Sequence, residues 1–194
     1  LSSEKNGNHA EMVFWPSILG ETYRCLRYGS GVRFPLEAPN MNIFALDIDP
    51  EQAAMWHCDN HTNKMILETA QMLSTINRMA GKSGPIYRPT HKNHMCTVWA
   101  RQTTENYLWL WRLGIFLSAE YEARYGRVHA SKSVLQYMKE PPEIVPAGRL
   151  TKFALCMPDK YKQSNPVEAY RTFYRAEKAD GRLGTWRRNK PEWW

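Results

Sequence analysis

The chain has 194 residues, with 26 Lys and Arg against 19 Asp and Glu, so it is basic by seven charges. That length suggests one domain, or one domain with an appendage, and is enough to bury a core. No apolar run reaches the roughly 18 residues of a membrane span; Leu108 to Leu117 is short and Arg112 interrupts it. Leu1 to Ala10 is polar and shows no secretory pattern. Cys25, Cys58, Cys96 and Cys156 are widely spaced and form no CxxC pair. This argues against a disulfide scaffold and against a cysteine-rich zinc module, and fits a reducing cytoplasm.

The charge is uneven. Residues 145–194 hold eleven basic and five acidic side chains, and so carry six of the seven net charges. A basic C-terminal stretch interleaved with Tyr and Trp suits a polyanion, nucleic acid first. A solvated basic surface would have the same composition.

Residues 1–40 show no sustained helical or strand period, and the pattern turns regular at Met41, with MNIFALDIDP. Leu36-Glu37 can be encoded with a ribosome-binding GGAG, spaced from Met41 by Ala38, Pro39 and Asn40. The expectation is that Met41 is the natural start and 1–40 is translated upstream sequence, leaving 41–194 as a single α-helical domain. A genuine N-terminal arm is the alternative.

Asn42 to Leu46 reads as a strand or an extended lead-in. Asp49 caps a long helix with Pro50 at its first position, and no breaker follows before Gly81. Cys58, Met65, Ile66, Met72, Leu73, Ile76 and Met79 form its apolar face. Gly81 to Pro85 is a turn, and Ile86 to Met95 an ordered loop. Cys96 to Gln102 reads as a short helix. Thr103 or Thr104 then caps a second long helix that Gly126 ends. Its packed stripe is Tyr107, Leu110, Trp111, Gly114, Leu117, Ser118 and Tyr121. A modest helix spans His129 to Lys139, and a Pro-rich connector and the CMPDKYK loop follow. Asn165-Pro166 starts the last helix, where Arg171, Arg175 and Lys178 recur at four and three as a basic stripe. The fold class is mainly α, with two long packed helices and ordered loops.

The first long helix carries the most informative feature. His57, His61, Lys64 and Glu68 fall at steps of four, three and four, hence on one face. Unpaired burial of that row would be costly, so it faces water or converges on something polar. His57 and His61, with His91 and His94 from the loop, have spacing for a metal, but the glutamate of an HExxH helix is missing. Hydrogen-bonded histidines beside an i, i+4 Lys64–Glu68 pair are the plainer explanation of the row, since spacing alone is a loose signal for a metal. Asp59, Glu68 and Lys64 suit acid–base or Schiff-base work, although most such pairs are surface ion pairs. His91, Lys92, Asn93 and His94 offer donors to a phosphate or a base edge. Tyr170, Arg171, Tyr174, Arg175 and Lys178 suit phosphates and stacked bases, unless the aromatics simply pack inward.

The run LDxDPxxAAxxHCDxHxxKMILETAQMLST, with THKNHxCTxWAR, NYxWL, EYxxRYGxVH, MPDxY and PVEAYRxxYxxEKA, resembles a family of small phage-encoded proteins across residues 42–194. That family departs here at one place, Asn165 standing for its usual Asp. A more distant likeness is to pyrimidine-dimer DNA glycosylases, which are small, basic and helical. The loop His91-Lys92-Asn93-His94 is similar to one found in some of them. Tyr170-Arg171-Thr172-Phe173-Tyr174-Arg175 is similar to an aromatic–basic segment of the phage enzyme. The resemblance implies a helical fold and DNA contact. It also implies an amine nucleophile at the chain's start and a helix-borne glutamate. Asn63 or Lys64 stands at that glutamate's register, and Glu68 one turn further on.

The expected function is a DNA-acting, glycosylase- or lyase-like enzyme working on a base, in the cytoplasm (of a host, if phage-encoded), with no cofactor, no bound metal and no membrane partner. Lys64, Glu68, Asp59, His61 and His94 form the catalytic set. His91, Lys92, Asn93, Arg101, Tyr170, Arg171, Arg175 and Lys178 contact nucleic acid. A non-catalytic nucleic-acid or nucleotide binder is the second reading, and a metal-dependent hydrolase the third.

Overall fold

A computed structural model describes residues 41–178 and 184–194, together with the backbone of three strands ahead of them. The chain divides into two compact units, Leu1–Met41 and Asn42–Trp194. In the first, β1 (Glu11–Pro16), β2 (Thr22–Tyr28) and β3 (Val32–Pro35) form an antiparallel sheet in that order. Val13 pairs with Cys25, and Leu26 with Phe34. The sequence reading assigned no period here. TYRCLRY does not alternate cleanly between apolar and polar residues, and strand preference enters instead through its Thr and Tyr residues and the Val, Phe and Trp of β1. Residues 1–10 and 36–40, on which the upstream-translation expectation leans, lie outside the described residues.

The second unit is mainly helical. Asn42 to Leu46 is a buried, irregular lead-in. It cannot run straight, because Asn42 Oδ1 accepts from the Ile43 and Phe44 amides at 2.8 and 3.3 Å, closing a turn. Phe44 sits at φ 32°, a strained backbone for an aromatic residue.

Asp49 caps α1 (Pro50–Trp56) by accepting from Glu51 N, with Pro50 in the first turn as expected. The helix expected to continue to Gly81 instead breaks at His57 and Cys58, both extended, and restarts as α2 (Asp59–Met79). Neither residue is a helix breaker. The break is stabilised from elsewhere: Arg124 donates to Met55 O and His57 O, and Cys58 N donates to the Tyr174 hydroxyl. Cys58, Met65, Ile66, Met72, Leu73 and Ile76 are buried as the apolar face predicts, whereas Met79 is exposed.

After α3 (Met95–Ala100), Thr103 caps α4 (Thr104–Tyr125) by accepting from Asn106 N, and Gly126 ends it at φ 65°. The long helices α2 and α4 pack together, with Tyr107, Leu110, Leu113 and Leu117 of α4 buried in the core. Gly114 sets the approach. A Cβ there would lie 2.8 Å from Thr69 and 3.0 Å from Leu135 of α5 (Lys132–Tyr137). The last helix, α6 (Pro166–Phe173), is capped by Asn165 and passes into a π-helical turn, Tyr174–Lys178. Residues 184–194 return to the junction of α1 and α2: Asp59 N donates to Thr185 O, and the Trp186 indole donates to Trp56 O. Among the described residues no helix is long and apolar enough to cross a membrane.

Candidate functional site

The site grows from Glu68, which α2 carries inward to 4% exposure. Its Oε2 accepts from the backbone N–H of Asn42 at 3.1 Å. Its Oε1 is buried with no hydrogen-bond donor, and Lys64 Nζ, one turn back, lies 3.5 Å away in a loose ion pair. Burial pushes the Glu68 carboxyl up from its ordinary range, while Lys64, the Asn42 N–H and His94 pull it down. Lys64 itself remains 41% exposed. A protonatable carboxyl therefore lies beside an accessible amine.

Asn42 joins this carboxyl to a second cluster, since its Nδ2 donates to Cys156 O at 2.9 Å. His94 is the N-cap of α3, and its Nδ1 accepts from Cys96 N at 3.3 Å. The other ring nitrogen lies 3.3 Å from Cys156 Sγ. Ligand atoms of His94, Cys96 and Cys156 all fall within 4.8 Å of one another. The hydrogen bond from Cys96, with His94 assisting, draws the Cys156 thiol down to about 5, while Cys96 is pushed up by the same contact and by burial. Burial and this contact both favour the proton on Cys96. Tyr170 fixes the backbone here, donating to Ala154 O at 2.6 Å and accepting from Cys156 N at 3.4 Å.

The structure sorts the residues singled out in the sequence. Glu68, Lys64 and His94 share one neighbourhood. His91, Lys92 and Asn93 are exposed on the adjoining loop, with His91 at φ 49°. Arg101 donates to Lys92 O, so this loop carries cations beside the site. His57 and His61 do not converge with His91 and His94. His57 Nδ1 lies 2.7 Å from Ala53 O in the core, and His61 Nδ1 lies 2.8 Å from the Tyr174 hydroxyl, beside the Phe44 ring.

Four candidates are engaged elsewhere. His61 is buried against Tyr174. Asp59 pairs with Arg124 at 3.0 Å and accepts from Arg187 N. Tyr170 is fully buried and cannot stack on a base while folded. Arg171 donates to Leu46 O and pairs with Asp47 and Glu168. The basic stripe is broken where α6 becomes π-helical. Arg175 is exposed and bonds Trp193 O, and Lys178 lies over the Phe173 ring at 5.1 Å.

The sequence reading missed Asn42, Cys96 and Cys156 as site residues. His94 and Cys96 are two apart, which is a readable spacing. Cys156 lies 62 positions after His94 and is paired with it only by the fold. Compared with family profiles, characterised proteins and solved structures, the chain matches none.

Proposed function

We propose that this domain is a DNA-acting enzyme, glycosylase- or lyase-like, that removes a base. The observation that supports it best is the pairing of Glu68, buried and half-satisfied, with the accessible Lys64 amine at 3.5 Å. Base departure breaks the C1′–N bond and needs a proton on the leaving base. Burial raises the Glu68 carboxyl and so favours the protonated form that such a step needs. The Lys64 amine, in its neutral form, bonds C1′ and passes a proton to O4′ as the C1′–O4′ bond breaks, which leaves a protonated imine joined to the opened sugar. His94 orients the substrate beside Glu68.

A base must leave the stack to reach a buried carboxyl, which calls for cations to hold the distorted backbone. Lys92, Arg101, Arg175 and Lys178 are candidates for the phosphates, with His91 and Asn93 as further donors. The distant likeness supports a helical fold and DNA contact; Glu68 stands one turn beyond the register of its glutamate and accepts from Asn42 N. In this chain that nitrogen is a peptide nitrogen, so Lys64 supplies the amine.

The test is base release from damaged and undamaged duplexes. Glu68→Gln should keep the helical circular-dichroism signal and lower the single-turnover rate by about a hundredfold or more. Full activity in Glu68→Gln would overturn the acid role. Salt-dependent binding without base release would favour a non-catalytic binder, and neither binding nor release would remove DNA from the account.

A further inference from the structure

We propose that His94, Cys96 and Cys156 form a zinc site with three protein ligands and an open fourth position. This goes beyond base removal and stands without it. Two sulfurs and one imidazole nitrogen lie within 4.8 Å of one another, and His94 Nε2 is 3.3 Å from Cys156 Sγ. Zinc bonded tetrahedrally to thiolate and imidazole separates its ligand atoms by roughly 3.5–3.8 Å. The widest separation, up to 4.8 Å, therefore needs to close by about 1 Å.

The donor set is selective. Thiolates with imidazole favour zinc over magnesium, calcium or manganese, which prefer oxygen. Three protein ligands with one place left for water is the pattern of working rather than purely structural zinc.

The backbone around the site is fixed by contacts that need no metal. Cys156 is held at its carbonyl by Asn42 Nδ2 and at its amide by the Tyr170 hydroxyl. Cys96 is in the first turn of α3, and His94 is its cap. Binding through Nε2 moves the imidazole proton to Nδ1. The contact from Cys96 N, long at 3.3 Å, is then given up. Both cysteines bind as thiolates, and the proton held between them passes to solvent. His57 and His61, the histidines first suggested by spacing, play no part, because both are packed in the core.

The test uses the full chain, purified without chelator under mild reduction. Elemental analysis should find close to one zinc per chain. Cobalt exchanged for it should give a strong near-ultraviolet thiolate-to-metal band. His94→Ala and Cys156→Ser should each weaken zinc affinity by about tenfold or more against a chromophoric chelator, with Cys25→Ser unchanged. Circular dichroism reports whether the variants fold. If either does not, the cobalt spectrum of the unaltered protein decides alone. A reduced protein that takes up no zinc from micromolar solution would overturn the site. So would a cobalt spectrum lacking the thiolate band, or a Cys96–Cys156 disulfide that takes up no zinc once reduced.

Discussion

Burial pushes the key ionisable side chains in opposite directions. His57 is lowered to about 4, chiefly by burial, with the Arg124 charge adding and the Ala53 carbonyl opposing. His61 is lowered to about 3 by burial, then by His57, Lys64 and Lys178. A histidine depressed in the folded state contributes stability that is complete above its unfolded pKa, near 6.5. That stability is lost as pH falls toward the folded value. Glu68, raised by burial, has the reverse sign: its contribution fades as pH rises through its folded pKa. Two histidines outweigh one carboxyl in the acid range. Urea unfolding at pH 7 and pH 4.5 should therefore differ by on the order of 2–3 kcal/mol per histidine, with the protein weaker in acid. Equal stability at the two values would contradict the burial of both rings. The periodicity of His57, His61, Lys64 and Glu68 was legible in the sequence. Its division was not, because the outcome depends on partners such as Tyr174 and Asn42, far off in the chain.

Helix starts and stops were legible wherever local chemistry decides them. Asp49-Pro50, Thr103, Gly126 and Asn165-Pro166 all act as read. The break between α1 and α2 was not legible, because its cause lies on α4. Arg124 is 7% exposed and donates to Met55 O, His57 O, Asp59 and Glu120 at 2.8–3.0 Å. One guanidinium thus satisfies the carbonyls that the break exposes and two carboxylates besides. In the sequence it looks like one more basic residue near a helix end. Arg124→Met should cost about 3–5 kcal/mol in urea unfolding, since two carboxylates and two carbonyls lose their donor. Arg124→Lys should recover only part, because an ammonium lacks the guanidinium's planar fork. A loss below about 1 kcal/mol in Arg124→Met would show that the break is held by other contacts.

Across the whole molecule, composition overstates the free positive surface. Arg171 is taken up by Asp47, Glu168 and Leu46 O, and also lies 5.0 Å from the Trp56 ring. Arg175 bonds Trp193 O, the Arg187 guanidinium lies over the Tyr125 ring at 4.8 Å, and Arg188 lies 3.5 Å from Glu120. Much of the basic C-terminal stretch thus fastens the tail to the helices. Lys92 and Arg101 belong instead to the loop and helix on either side of His94. The mainly α class was readable from periodicity, while the site depends on Asn42, Glu68, His94 and Cys156 meeting across long separations. Under the proposed function, Glu68 protonates the leaving base and the Lys64 amine bonds the sugar. Borohydride trapping on a damaged duplex, followed by mass-spectrometric mapping of the adduct, tests it most directly. The expected result is a covalent DNA adduct on Lys64 that Lys64→Ala abolishes and Glu68→Gln strongly reduces. An adduct on another amine, or none on any duplex, would contradict it.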